Sequence, residues 1–433
     1  MAQRENNFQT DKEFALELDS KDPLAAFRER FCLLPGMIYM DGNSLGLLSK
    51  DSEESLTRVL EEWKNKGIGG WLDAHIPWFY FAERLGAGAA DLVGAAPEEV
   101  VCTGATTVNI HSLVSTFYRP QGKRKKILAD GLNFPSDIYA LNGQIKLKGL
   151  DPGENLVQVP SRDGRILEEE TVIGLMTDEI STALLPSVLY RSGQLLDMRR
   201  LTQKAHENGI LIGFDCSHSV GAIPHKFSLW DVDFALWCSY KYMNGGPGSP
   251  AFLYINKKHF DREPLLAGWF GFNKDKQFKM LPDFQHDRSA GGWQISTPAI
   301  LSAAPLDGSL KIFREAGIER IREKSIRMTS YLIYLLDKVL PEKRYRLKVG
   351  TPRNPERRGG HVSLEGDSNI WCIHQALKAR GVIPDFRPPG MIRIAPTALY
   401  NTYHEIWETV HRLKEIIDSK AYESFSPEKA AIT

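Results

Sequence analysis

Gly209-Ile-Leu-Ile-Gly-Phe-Asp215 is an apolar run ending in a carboxylate, and Lys241 follows twenty-six residues after that acid, just beyond a second apolar run, Phe234–Cys238. The patterns predict strands over 209–214 and 234–238. In a parallel sheet, the C-terminal strand ends line the ligand crevice. Asp215 is there either a helix cap or a functional acid. Lys241 is either a surface residue in a strand-to-strand turn or a working amine, because lysine is seldom buried without a partner. The glycines in Gly245-Gly-Pro-Gly248 permit close approach of the backbone to a ligand. The pair is more informative than either residue. It suits pyridoxal 5'-phosphate, whose aldehyde bonds to a lysine and whose pyridine nitrogen pairs with an acid. Kept protonated, that ring accepts electrons from a carbanion. At about 4 Å and an effective dielectric of about 20, the ion pair is worth on the order of 4 kcal/mol before desolvation.

A phosphate needs a cradle. Gly104-Ala-Thr-Thr-Val-Asn109 lies between the strand-like Val100-Val-Cys102 and a helical pattern in which Ile110, Leu113, Val114 and Phe117 recur at i, i+3, i+4, i+7. A helix N-terminus offers unpaired N–H groups, and Thr106 and Thr107 add hydroxyls. A plain threonine helix cap is the alternative. Cys216 and His218 flank Ser217, but no further ligand cluster accompanies them, so no metal is expected. HExxH, GxGxxG and Walker patterns are absent.

Strand-like runs at 126–129, 182–185, 209–214, 234–238 and 251–255 alternate with helical patterns. This predicts an α/β domain with a mostly parallel sheet covered on both faces. Residues 299–340 carry a helical stripe (Ile318, Ile321, Met328, Leu332, Leu335, Leu336) that predicts a long helix leaving that domain. Strands at 361–364 and 391–395, with helices at 370–378 and 405–417, predict a smaller α+β domain. The expected organisation is an N-terminal segment over 1–50 that packs near the small domain and the site, a large domain over 51–308 and a small domain over 309–433.

The chain has 433 residues, 42% of them hydrophobic, and its 54 basic and 54 acidic residues balance to zero. That composition is globular, and the charge gives no reason to expect nucleic acid or a lipid surface as partner. The basic run Lys123-Arg-Lys-Lys126 reads as a solvated turn. Five scattered cysteines without disulfide-like spacing, a polar N-terminus and no apolar run of membrane-spanning length predict a cytoplasmic protein.

Seven segments in order resemble the kynureninase family, whose fold is the aspartate-aminotransferase-like fold type I of pyridoxal phosphate enzymes. They are Met40-Asp-Gly-Asn-Ser-Leu-Gly46, Ala105-Thr-Thr-Val-Asn-Ile-His111, Phe134-Pro-Ser-Asp137, Gly213-Phe-Asp-Cys-Ser-His-Ser-Val-Gly221, Trp237-Cys-Ser-Tyr-Lys-Tyr-Met-Asn244, Gly268-Trp-Phe-Gly271 and Ile392-Arg-Ile-Ala-Pro-Thr-Ala-Leu-Tyr-Asn401. The resemblance implies that Lys241 holds the cofactor and moves the substrate Cα proton, and that Asp215 pairs with the pyridine nitrogen with His218 beside it. Thr106, Thr107 and the Tyr240 hydroxyl would bind the phosphate, and Tyr240 would also serve in proton transfer. Phe134 would stack on the ring, with Asp137 nearby. Arg393 would clamp the substrate α-carboxylate, and Asn43 and Ser44 would belong to a loop closing over the substrate. Trp269 and Thr297 would reach the partner subunit's cofactor, which implies a homodimer.

The implied reaction is hydrolysis of the Cβ–Cγ bond of L-kynurenine to anthranilate and L-alanine, in tryptophan catabolism. Thr297 stands where animal members carry Asn, and Trp71, expected at the substrate side, stands where they tend to have His. Both departures favour L-kynurenine over 3-hydroxykynurenine. The nearest rival is another fold type I enzyme, such as a cysteine desulfurase or a class V aminotransferase. A desulfurase needs a mobile cysteine, whereas Cys372 falls in a helical pattern. A non-enzymatic binding protein on the same fold is the more distant rival.

Overall fold

The computed structural model describes residues 8–428. After a short strand β1 (Ile38–Tyr39), apolar runs form β2 (Val100–Cys102), β3 (Lys126–Asp130), β4 (Leu156–Val159), β5 (Ile180–Pro186), β6 (Leu211–Asp215), β7 (Phe234–Trp237) and β8 (Phe252–Ile255). These seven build one sheet in the order β2-β8-β7-β6-β5-β3-β4, parallel except at β8, which runs against both neighbours. Adjacent residues on a strand face opposite ways. Leu128 and Leu185 therefore join one core with Leu85, Leu201 and Leu310, while Ile127 and Leu184 join the other with Leu113, Phe117 and Leu141. A sheet buried on both faces needs nearly continuous apolar strands, and β7 is buried at every position.

A separate core forms where the helix Ile318–Val339 packs on a four-stranded antiparallel sheet. That sheet contains β9 (Lys348–Val349) and β10 (Val362–Glu365), then, after β11 (Val382–Ile383), β12 (Asp385–Arg387) and β13 (Met391–Ile394). Its order is β12-β13-β10-β9. Ala15, Leu18, Ile38 and Met40 bury their side chains in this same core, and β1 pairs in parallel with β11.

The single long helix expected over 299–340 is two helices, Ile300–Ala316 and Ile318–Val339. The break is Gly317, whose φ of 77° lies outside the helical region. Strand β4 lay outside the pattern reading. It is an edge strand, and only its last residue is fully buried. The basic run at 123–126 lies on the surface, where Lys123 pairs with Asp178 and Lys126 with Glu179.

Candidate active site

The chemistry-bearing residues follow the C-terminal ends of parallel strands, so the sheet itself gathers them. Thr106 and Thr107 come after β2, Phe134 and Asp137 after β3, Tyr190 after β5, Asp215 and His218 at and after β6, and Tyr240 and Lys241 after β7. All but Asp137 line one cavity of about 280 Å³, and Asn43, Ser44, Arg387 and Arg393 close it from the other side.

The turn carrying Lys241 is rigid. Ser239 donates from its hydroxyl to the Pro250 carbonyl at 2.6 Å, and Asn244 N–H donates to the Lys241 carbonyl at 2.9 Å. Gly46 N–H donates to the Tyr240 carbonyl at 2.7 Å, which fastens the Asn43–Gly46 loop to this turn. A Cβ on Gly46 would lie 2.5 Å from the Lys241 carbonyl oxygen, so only glycine allows that approach.

Lys241 Nζ lies 2.9 Å from His218 Nε2. Burial first, then the positive charge of Lys241 and the nearby arginines, holds the His218 pKa well below the ordinary value. His218 is therefore neutral, and its ring can accept from the lysine amine. Its other nitrogen, Nδ1, is buried with no partner. Asp215 Oδ1 accepts from Ser217 N–H at 2.8 Å. Asp137, in the first turn of the helix Pro135–Leu147, is 1% exposed. Burial, then the charges of Asp215 and Asp130, pushes its carboxyl well above the usual carboxylate range. It is held neutral beside Asp215. Burial likewise raises the Tyr240 hydroxyl and keeps it protonated.

The helix Thr106–Phe117 starts after Ala105, which makes no side-chain cap. Thr106 and Thr107 line the cavity at this helix start, and the unpaired N–H groups of a helix N-terminus can receive an anion. Phe134 leaves 45% of its surface exposed at the cavity wall, edge-on to Tyr190 at 5.3 Å. Asn43 is fully buried, and both amide atoms lack partners.

Arg393 is 1% exposed. Its Nε donates to Asp385, its Nη1 to the Tyr190 carbonyl at 2.7 Å and its Nη2 to Ser44 Oγ at 3.2 Å. A guanidinium has five donors, so two remain, the number a carboxylate accepts in a bidentate pair. Taken with the orphaned Asn43 amide and His218 Nδ1, these residues fit pyridoxal phosphate together with an amino-acid carboxylate.

Three expected site residues lie elsewhere in this chain. Trp269 is 41% exposed and packs edge-on against Phe278. Thr297 is exposed and lines a second cavity of about 340 Å³, shared with Gly104 and Val108. Trp71 packs against Trp78 and Phe270. In the other direction, pattern reading passed over Tyr190, Arg387, Ser136 and Ser217, all of which line the cavity. Tyr190 follows a strand end, which is the signal that could have found it. Cys372 is buried in the helix Ile370–Ala379 and donates to the Phe425 carbonyl, outside the cavity.

Residues 58–365 match the family model Aminotransferase class-V, and residues 321–413 match Kynureninase C-terminal domain. Kynureninase of Geobacillus thermodenitrificans is 56% identical over 420 residues, covering 97% of each chain. Kynureninase of Bacillus thuringiensis subsp. konkukian is 56% identical over 425 residues, covering 98% of this chain and 99% of the relative. Among solved structures, apo cysteine desulfurase from Thermococcus onnurineus NA1 superposes with a TM-score of 0.77 at 18% identity, covering 91% of this chain and 98% of that one. A C-DES variant with glycine linked to its PLP cofactor gives 0.78, also at 18% identity, covering 90% of this chain and 99% of that one. At that identity the structures establish the shared fold, that of pyridoxal phosphate enzymes of fold type I. The full-length relatives establish more: this chain belongs to the kynureninase family.

Proposed function

We propose that this chain is a pyridoxal phosphate-dependent hydrolase that cleaves L-kynurenine to anthranilate and L-alanine. The observation that carries the reading is one cavity holding Lys241, Asp215 and Arg393, in a chain that matches Kynureninase relatives over nearly its whole length.

Lys241 would hold the cofactor, Asp215 would face its pyridine nitrogen, and His218 and Asp137 would stand nearby. Thr106, Thr107 and Tyr240 would hold the phosphate, and Phe134 would cover the ring. When bound, pyridoxal phosphate supplies an aldehyde that captures the substrate amine and a ring that stores the electrons released at Cα. Arg393 receives the substrate carboxylate on its two remaining donors, with Ser44 and Asn43 beside it. Lys241 Nζ takes the proton from Cα, and the neutral His218 next to it adds no competing positive charge. Water adds to the γ-carbonyl as the Cβ–Cγ bond breaks. Tyr240 Oη, kept protonated by burial, donates a proton as Cβ leaves. Such general acid–base help contributes about 10²–10⁴-fold.

The active unit in this reading is a homodimer. An aromatic chain runs Trp71–Phe270–Phe79–Phe278–Trp269 with ring centroids about 6 Å apart. Its outer members Phe278 and Trp269 are solvent-exposed in the single chain. That face would carry Trp269, Thr297 and Trp71 toward the partner's cavity. All five cysteines are free, in keeping with a cytoplasmic location, and no helix among the described residues is long and apolar enough to cross a membrane.

The test is to mix the cofactor-loaded protein with L-kynurenine and to follow anthranilate by fluorescence and alanine by chromatography, with 3-hydroxykynurenine run in parallel. Equimolar anthranilate and alanine, formed faster from L-kynurenine than the hydroxylated product is from its substrate, is the expected result. Sulfide from cysteine, or amino transfer to a 2-oxo acid, with no cleavage of either kynurenine would overturn the reading.

A further inference from the structure

Arg387 and Arg393 line the cavity where the proposed reading seats the substrate carboxylate, and two acids, Asp385 and Asp41, lie buried near them behind the wall. Arg387 and Asp385 lie on β12, Arg393 lies on β13, and Asp41 precedes the Asn43–Gly46 loop. Asp385 sits opposite Arg393 in the antiparallel register. It is 1% exposed and lies between the two arginines, with Arg387 Nε 3.1 Å from the same Oδ2 that Arg393 engages. One carboxylate thus serves as counter-ion to two guanidinium groups. Asp41 is fixed by its bridge to Ala395, next to Arg393, and its Oδ1 is buried with no partner.

With both acids ionised, two positive and two negative charges cancel. A substrate carboxylate seated on Arg393 adds a third negative charge to a buried cluster, and an uncompensated buried charge is costly. The remaining groups facing Asp41 are hydroxyls: Ser44 beside it, Tyr39 on β1, Tyr242 after Lys241, and Tyr400. Burial holds those phenols protonated, so none of them can absorb the extra charge. Asp385 is paired with both arginines, and burial with the nearby cations holds His218 and His361 well below the ordinary histidine value, so Asp41 is the group left to do so. We propose that Asp41 takes up a proton from solvent when the substrate carboxylate is seated on Arg393, so that capture of the amino acid by this enzyme is coupled to proton uptake. This rests on the reading of Arg393 given above. The local field already leans that way: burial, then Asp385, pushes the Asp41 carboxyl up to about 7, against the pull of Ser44, Arg393 and Arg387.

The test uses the cofactor-loaded enzyme and 4-(2-aminophenyl)-4-oxobutanoate, the kynurenine skeleton without its α-amine, which binds without reacting. Calorimetric titration in two buffers of different ionisation enthalpy, at pH 6 and pH 8, reads the protons taken up. Expected uptake is about 0.1 proton per site at pH 6, rising toward one at pH 8, with affinity about tenfold weaker at pH 8. In Asp41→Asn the uptake vanishes and the affinity no longer falls with pH. Asp41→Ser, which also removes the titrating group, serves where the Asn variant does not fold. Uptake near zero at pH 8 in the unmodified enzyme, or uptake that persists in either variant, overturns the proposal. Failure of the probe to bind at either pH removes the Arg393 reading and this proposal with it. Kynurenine cleavage and probe binding without proton uptake remove this proposal alone.

Discussion

Two buried carboxylate networks in this chain, one around Asp233 and one around Asp41 and Asp385, have opposite characters. Asp233, between β6 and β7, is fully buried, and both oxygens are engaged. His259 Nε2 lies 2.8 Å and Lys258 Nζ 2.9 Å from Oδ1, while His206 Nε2 lies 2.9 Å and Ile212 N–H 2.8 Å from Oδ2. Burial alone would raise its pKa, yet His206, His259, Lys258 and the Ile212 amide outweigh burial and hold it below the usual carboxylate range. Asp41 and Asp385, buried behind the cavity-lining Arg387 and Arg393, each keep a buried oxygen with no partner. A fully satisfied network rigidifies a core, whereas an incompletely satisfied one is costly unless something else completes it. The first cluster locks two strands together. The second leaves acceptor oxygens that only an added proton or donor would satisfy. Asn43, with its orphaned amide, and His218, with its orphaned Nδ1, line the adjoining cavity.

The largest expected effect belongs to the unsatisfied side. Lys241→Ala should abolish the visible absorption of the lysine-bound cofactor and lower turnover by about 10³-fold or more, because in the proposed mechanism this lysine both anchors the cofactor and moves the proton. Absorption and steady-state kinetics check this. Arg393→Lys keeps the charge and loses the planar fork. It should raise KM for L-kynurenine by about 10²-fold with a smaller change in kcat, since a bidentate pair holds the carboxylate in both ground and transition states. Tyr240→Phe should lower kcat by about 10²-fold and leave KM nearly unchanged. An unchanged cleavage rate would remove Tyr240 as the acid.

On the satisfied side, the expected effects are on stability and not on turnover. Asp233→Asn leaves two histidines and a lysine facing a neutral amide and should cost about 3 kcal/mol, read from the denaturant midpoint. Activity below the transition should be normal.

The smallest effect is the sharpest discriminator, because the two clusters have opposite pH slopes. The folded-state pKa of Asp233 lies below its unfolded value of about 4. Its contribution is therefore present above about pH 4 and is lost as the pH falls below that. Asp41 is raised to about 7, so the folded state binds the extra proton and stability falls as pH rises between about 4 and 7. Relative to the unmodified enzyme, Asp41→Asn should therefore be more stable at pH 8 than at pH 5. Asp233→Asn should lose its disadvantage only in acid.

Much of the first cavity wall was legible in the sequence, because β6 and β7 announce themselves as apolar runs and place Asp215 and Lys241 at their ends. The predicted and observed strands agree to within about two residues, and the helix starting at Thr106 falls where the i, i+3, i+4, i+7 recurrence put it. What escaped was long-range. Asp385 meets Arg393 through antiparallel register, and a bridge to Ala395 brings Asp41 near both, placements for which spacing along the chain gives no signal. The break at Gly317 escaped because the apolar stripe continues on both sides of it, so periodicity alone fuses the two helices. Trp269, in a family motif, and Trp71 and Thr297, where the sequence departs from animal members, do not line this chain's first cavity.

The central claim is that the orphaned groups converge on one cofactor-bearing cavity centred on Lys241. Borohydride reduction of the loaded enzyme, followed by peptide mass spectrometry, tests it most directly. The pyridoxyl phosphate mass is expected on the peptide containing Lys241 and on no other lysine. The mark on a different lysine, or no mark in protein that cleaves L-kynurenine, would contradict it.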